Sequence, residues 1–281
     1  VDMSELSSLL AQGFVQHALI AAILVSIAAG IVGALVVVNR LVFMAGGIAH
    51  TAYGGVGTAV FFSLPVLPVA AMFTALAALL LGILSLKQRE RVDTLIGVIW
   101  AAGMAFGLIM IDLTPGYNTG LMGYLFGSIL TVSTTELWMM AGLNALILAL
   151  TMYYYRDILS FSFDPTFART RGIPATGLYL MLMVLIAQTV VMMIQIVGLL
   201  LVLALLTLPP YLASRYTHTL AGMMYHSAIY SLLFCLTGLL VSYYFDMGSG
   251  PAIIAVACIG YLLTVSVEKS ITALRKIPLN Q

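Results

Sequence analysis

The sequence predicts an all-α, polytopic membrane protein with about eight or nine transmembrane helices, and three observations carry that reading. Of the 281 residues, 62% are hydrophobic and only 7% are charged, whereas a water-soluble domain carries roughly a quarter charged residues. Apolar runs long enough to cross a bilayer recur from one end of the chain to the other. All eleven lysines and arginines fall in alternate breaks between those runs. No change in composition sets a soluble module apart, so residues 1–281 read as one transmembrane domain. The net charge of +1 offers no basic field for nucleic acid. Cys235 and Cys258 lie inside apolar runs, where a thiol is most simply a small hydrophobe.

In order, the runs cover about 17–38, 43–62, 66–86, 94–112, 137–155, 177–195, 198–214 and 220–243, with 252–267 as a ninth. The stretch Val1 to Gln12 is acidic and polar with no basic leader, so no cleaved signal peptide is expected. Asp93 suits the N-cap of the fourth run. Ser133-Thr-Thr-Glu136 is a capping box ahead of the fifth. Residues 120–133 are apolar but too few to cross, and they read as a re-entrant or interfacial helix. The stretch 177–214 either crosses twice around Gln195 or kinks heavily, and its second part closes on Pro209-Pro210.

Sidedness follows from the bases. With nine crossings, the breaks holding Arg40, Lys87 to Arg91, Arg156 to Arg171 and Arg215 share one side with the tail after 267. The opposite breaks contain no base. The excess of Lys and Arg marks the cytoplasmic side, which puts the C-terminus inside and the N-terminus outside.

The longest break on that side reads Asp164-Pro-Thr-Phe-Ala-Arg-Thr-Arg-Gly-Ile-Pro174. Asp164 suits an N-cap, Pro165 the first helical position and Gly172 the left-handed residue past the end, while Pro174 blocks continuation. A two-turn helix over about 164–172 is expected, with Phe167 and Arg171 on one face. So short a helix is not stable alone in water. It rests either on its own membrane domain or on a cytoplasmic partner.

Polar groups at membrane depth are candidates for function. His50 lies about two turns, or about 10 Å, into the second run. Gly47, Thr51, Gly55 and Ala59 form a row that lets another helix approach closely. The opposing row of His50, Gly54 and Thr58 leaves space beside the imidazole. That imidazole either lines an ion path as a metal ligand or bonds a neighbouring carbonyl. His226 sits at comparable depth in the eighth run. Asp112 and Asp246, at the outer ends of their runs, either gather cations or are solvated helix ends. The sixteen methionines are scattered without ligand spacing, which favours packing. The sequence has no HExxH, no CxxC, no nucleophile with a paired base and no phosphate-binding Gly-x-x-x-x-Gly-Lys-Ser/Thr. It is therefore not expected to be an enzyme, and any ATP hydrolysis belongs to another chain.

Six stretches, in order, resemble the integral membrane permeases of metal ABC importers of the zinc, manganese and iron class. They are GALVVVNRLVFMAGGIAHTAYGG (33–55), DTLIGVIWAAGMAFGL (93–108), YLFGSILTVSTTEL (124–137), SFDPTFARTRGIP (162–174), VGLLLVLALLTLPPYLASRYT (197–217) and SYYFDMGSGPAI (242–253). The resemblance implies a fold similar to type II ABC importer permeases and a homodimer in the cell membrane. Cytoplasmic ATPase subunits and an extracytoplasmic metal-binding protein are its expected partners. No cofactor is expected to stay bound; ATP would sit on the partner subunit, with Zn²⁺, Mn²⁺ or Fe²⁺ as the transported ion. By this resemblance Asp164, Pro165, Phe167, Ala168, Arg169 and Gly172 match the helix that couples to the ATPase, with Arg171 beside Phe167. The metal-handling candidates are His50, Asp112, His226 and Asp246. The family commonly carries an Asp four residues before the His, where this chain has Gly46. Zinc is the first expectation, since imidazole suits it and no cluster of hard oxygen ligands appears in the runs. Manganese and ferrous iron are the nearest alternatives. A cobalamin or siderophore permease lacks a reason for His50, and an ion-coupled carrier would want paired carboxylates at mid-membrane. A structural subunit of a larger complex would need the 164–172 helix only for assembly.

Overall fold

A computed structural model describes residues 12–115, 127, 129, 132–198 and 202–275. Its helices are α1 (Gly13–Val38), α2 (Val42–Phe61), α3 (Val66–Lys87), α4 (Val92–Asp112), α5 (Thr134–Tyr153), α6 (Tyr155–Phe163), α7 (Pro165–Thr170), α8 (Ala175–Val197), α9 (Val202–Tyr216), α10 (Leu220–Phe245) and α11 (Ser249–Arg275). A 3₁₀ turn, Arg89–Arg91, leads into α4.

Among the described residues, α1, α3, α4, α5, α8, α10 and α11 are long and apolar enough to span a membrane. The remaining two of the nine expected runs are α2 and α9. α2 holds less apolar surface because it is built of glycine, alanine, threonine and His50, and fifteen of its 20 residues are buried. α9 has only 15 residues. In the apolar windows of α1 and α8, 72% of residues are buried, against 22% in α4 and α11. The first pair, with α2, forms the centre; the second lies at the surface of the bundle. Packing between helices in lipid rests on close approach rather than on excluding water, which is why the central helices carry the small residues.

Side-chain contacts sort the helix ends as the bases do. The Asn39 amide donates to Ser162 Oγ at 3.0 Å, and Ser85 Oγ meets the Tyr179 hydroxyl at 2.9 Å. The Ala221 N–H donates to the Tyr155 hydroxyl, and Arg215 pairs with Glu268. These join the base-bearing corners at one end. At the other end Thr134 lies 3.5 Å from the His17 ring, and the Ile129 N–H donates to Ser249 Oγ.

Several local expectations hold. Ser133 and Glu136 form the reciprocal capping box. The Asp164 carboxylate accepts from the N–H groups of Thr166 and Phe167 at 3.0 and 2.9 Å, Pro165 opens α7, and Gly172 sits at φ 76°. Ala168 is fully buried, and the Arg171 guanidinium lies over the Phe167 ring. Others need correction. α4 begins at Val92 with Arg91 at its N-cap position, so Asp93 stands inside the first turn, where its charge still suits the helix dipole. The stretch 177–214 forms two helices, α8 and α9, which keeps the first of its two expected alternatives, but α8 runs past Gln195 and ends at Gly198 with φ 82°. α9 does not stop at the prolines but runs through both to Tyr216. Pro210 cannot donate to the Leu206 carbonyl. That carbonyl and the Pro210 ring crowd Gly33, where a Cβ would lie 2.9 and 2.8 Å from them. Most of the expected re-entrant segment 120–133 falls outside the described residues.

Candidate functional site

α2 and α4 run parallel from the base-bearing end and touch backbone to backbone. A Cβ on Gly47 would lie 2.6 Å from Ile96, one on Gly103 would lie 2.6 Å from Thr51, and one on Gly57 would lie 2.3 Å from the Gly107 carbonyl. Gly55 meets Ala70 of α3 in the same way. The row of small residues therefore admits two helices, one on each side.

Between the Gly47–Ile96 and Thr51–Gly103 contacts, the His50 ring stacks on Trp100 at 4.1 Å between centroids and 10° between planes. His50 is 9% exposed, and its buried Nδ1 has no hydrogen-bond partner among the described residues. A buried polar atom left so costs about 1–3 kcal/mol. Among the described residues no neighbouring carbonyl satisfies this nitrogen. Stacking fixes the ring plane. The space expected beside Gly54 is filled: a Cβ there would lie 2.6 Å from the Phe73 ring and 3.1 Å from the Gly103 carbonyl. At Gly46, one turn before His50, the facing atom is Leu203 Cδ1 of α9, 3.1 Å from where a Cβ would stand.

The other candidates lie on other helices. His226 is half-buried on α10, its Nδ1 is 2.9 Å from the Gly222 carbonyl, and its ring meets the Tyr225 ring edge-on. α10 packs chiefly on α1, α9 and α11, whereas α2 packs chiefly on α3, α4 and α8. Asp112 is exposed as the last residue of α4. Asp246 is exposed and ends α10 in the left-handed conformation at φ 51°, with the Met247 N–H donating to the Ser242 carbonyl. That geometry makes Asp246 the helix stop and leaves its carboxylate exposed. No three His, Cys, Asp or Glu side chains converge among the described residues. The structure does not bring the four together; it isolates His50 with Trp100. Reading the sequence missed Trp100, Phe73 and Leu203, because no short spacing links them to His50.

Similarity to known proteins decides the family. The model of the ABC 3 transport family matches residues 11–268. This chain belongs to the ABC 3 transport family. The resemblance drawn from the six ordered stretches is thereby borne out. Among the relatives of this ABC 3 family chain, an uncharacterised membrane protein of Synechocystis is 46% identical over 256 residues, spanning 91% of each chain. A manganese transport system membrane protein of Halalkalibacterium halodurans is 32% identical over 249 residues, spanning 89% of this chain and 85% of its own. Among solved structures, PsaBC from Streptococcus pneumoniae in complex with Fab superposes with a TM-score of 0.85 at 30% identity, covering 94% and 95% of the two chains.

Proposed function

We propose that this ABC 3 family chain is the permease subunit of an ATP-driven importer for a divalent transition-metal ion, working as a homodimer in the cell membrane. The observation that carries this reading is the buried, unpartnered Nδ1 of His50 on the centrally packed α2. A single imidazole held in one plane by Trp100 suits transient ligation, because an ion in a full tetrahedral cage would not leave. Both zinc and manganese fit the cargo. Imidazole chemistry favours zinc, whereas the Halalkalibacterium relative is named for manganese, which puts manganese at least level. Asp112 and Asp246, exposed at the outer end, would gather cations arriving from an extracytoplasmic metal-binding protein, and His226 would be a secondary polar contact on α10.

In this scheme the base-bearing end is cytoplasmic. α7 offers Phe167, half exposed, and Arg171, stacked on it, to an ATPase subunit. ATP closure there would tilt α7 and change the access of His50 to either side. Two measurements test it. Proteoliposomes holding this chain with its partner ATPase should show ATP-dependent uptake of zinc, manganese or ferrous iron; no uptake of any of the three sinks the importer reading. Phe167→Ala with Arg171→Glu should abolish co-purification of the ATPase and reduce uptake to background. An intact complex in that variant removes α7 as the docking element.

A further inference from the structure

α7 lies beyond the base-bearing end of α2, and His50 lies inside it, so the importer reading requires a connection between them. The structure offers one through two hydrogen-bonded points. The Tyr179 hydroxyl of α8 donates to Met44 Sδ of α2 at 3.2 Å and meets Ser85 Oγ of α3 at 2.9 Å. Ser85 Oγ also lies 2.8 Å from the Gly82 carbonyl as a donor. Two hydroxyl hydrogens thus serve three bonds. Ser85 can donate to Gly82 while Tyr179 donates to Met44, or Ser85 can donate to Tyr179 while Tyr179 still holds Met44, or Ser85 can keep Gly82 while Tyr179 turns to Ser85 and releases Met44. Each arrangement uses both hydrogens, and Met44 is held in two of them and released in the third, so turning the Tyr179 hydroxyl makes or breaks its hold on α2.

α6 sits against this cluster and is fixed to α7. The Phe161 ring of α6 lies 6.5 Å from the Tyr179 ring, tilted by 60°. Asp164 closes α6 and caps α7, so the two helices are joined directly with no loop between them. α6 also reaches the other flank of α2. Ser162 Oγ accepts from the Asn39 amide, which also donates to the Leu35 carbonyl at 2.9 Å. Asn39 directly precedes Arg40, held at φ 58°, and α2 follows at Val42. A rotation of α6 and α7 therefore acts on both sides of the first turn of α2. His50 lies six positions beyond Met44, about 9 Å along the helix.

We infer that Tyr179, with the Asn39–Ser162 bond, is the positioning link that converts movement of α7 into movement of the α2 segment bearing His50. This rests on the importer reading. The experiment uses the full complex with its ATPase in proteoliposomes and reads metal uptake per ATP hydrolysed. Tyr179→Phe removes the hydroxyl and keeps the ring; Met44→Leu removes the sulfur at similar volume. Each should assemble and hydrolyse ATP near the wild-type rate while uptake per ATP falls about tenfold, within the usual range of coupling energies. The double variant should be no worse than Tyr179→Phe alone, since that change already removes the bond that Met44→Leu deletes. Ser162→Ala should lower the same ratio independently. An unchanged ratio in both Tyr179→Phe and Met44→Leu overturns the link, as does an equal loss of hydrolysis and uptake, which marks a purely structural role. If Tyr179→Phe fails to assemble, Met44→Leu decides. A wild-type complex that hydrolyses ATP without moving metal overturns the importer reading, and the link falls with it.

Discussion

A His50→Ala permease, reconstituted with its ATPase, should lose metal uptake at least ten- to a hundredfold while still assembling. Removing groups that merely orient a metal ligand commonly costs about 10–100-fold, and a direct ligand should cost no less. The fold should survive, because His50 gives no described hydrogen bond to its surroundings and its Nδ1 is already unpartnered. Alanine there relieves a buried polar atom, at the cost of the stack on Trp100 and a ring-sized cavity. His50→Gln keeps a polar group in the same place but lacks the imidazole, so it should stay close to alanine in uptake. Uptake by His50→Ala at the wild-type rate would remove His50 from the pathway. Gly46→Asp sharpens the test. Its Cβ would meet only the flexible end of Leu203, and it would set a carboxylate one turn from the imidazole. That variant should retain metal more tightly when His50 is present and not when it is absent.

How much of this was legible in the sequence depended on how local the signal was. The α7 helix was readable to the residue, because its N-cap, first proline and terminal glycine all lie within nine residues. The Ser133–Glu136 box was equally local. The two sides of the bundle were readable because like charges gather at one end for a reason of membrane insertion, and the hydrogen bonds of Asn39, Ser85 and Tyr155 join those ends. The environment of His50 was not readable. Trp100 arrives from α4, and what fills the face beside Gly54 is Phe73 from α3. A small-residue row says that something comes close, never what. The course of α9 was hidden differently: a proline pair marks the loss of two backbone donors, but the helix continues through both, with Gly33 on α1 leaving room for the Pro210 ring and the Leu206 carbonyl.

Gly107→Val should be the most damaging single substitution away from the imidazole. A Cβ at Gly107 would stand 2.3 Å from the Tyr53 carbonyl oxygen and 2.6 Å from its carbon. These are backbone atoms inside a buried helix, so no side-chain rotation relieves the overlap. α4 must move away from α2. Overpacking of this kind costs about 1–3 kcal/mol or more, and in a chain of this size that lowers Tm by roughly 5 °C. Gly97 supplies the control on the same helix, since a Cβ there has nothing within 4 Å. Gly97→Val bears the β-branched helix cost but no collision, and the purified chain should melt near the wild-type temperature. The functional effect follows from register. The His50–Trp100 stack lies between the Gly47–Ile96 and Thr51–Gly103 contacts, so a seam forced open at Gly107 parts the rings and frees the imidazole plane. Gly107→Val should then combine reduced Tm with loss of uptake and a changed Trp100 environment in fluorescence, read in a Trp138→Phe background. Equal melting of Gly107→Val and Gly97→Val would mean that α2 and α4 do not meet at this seam.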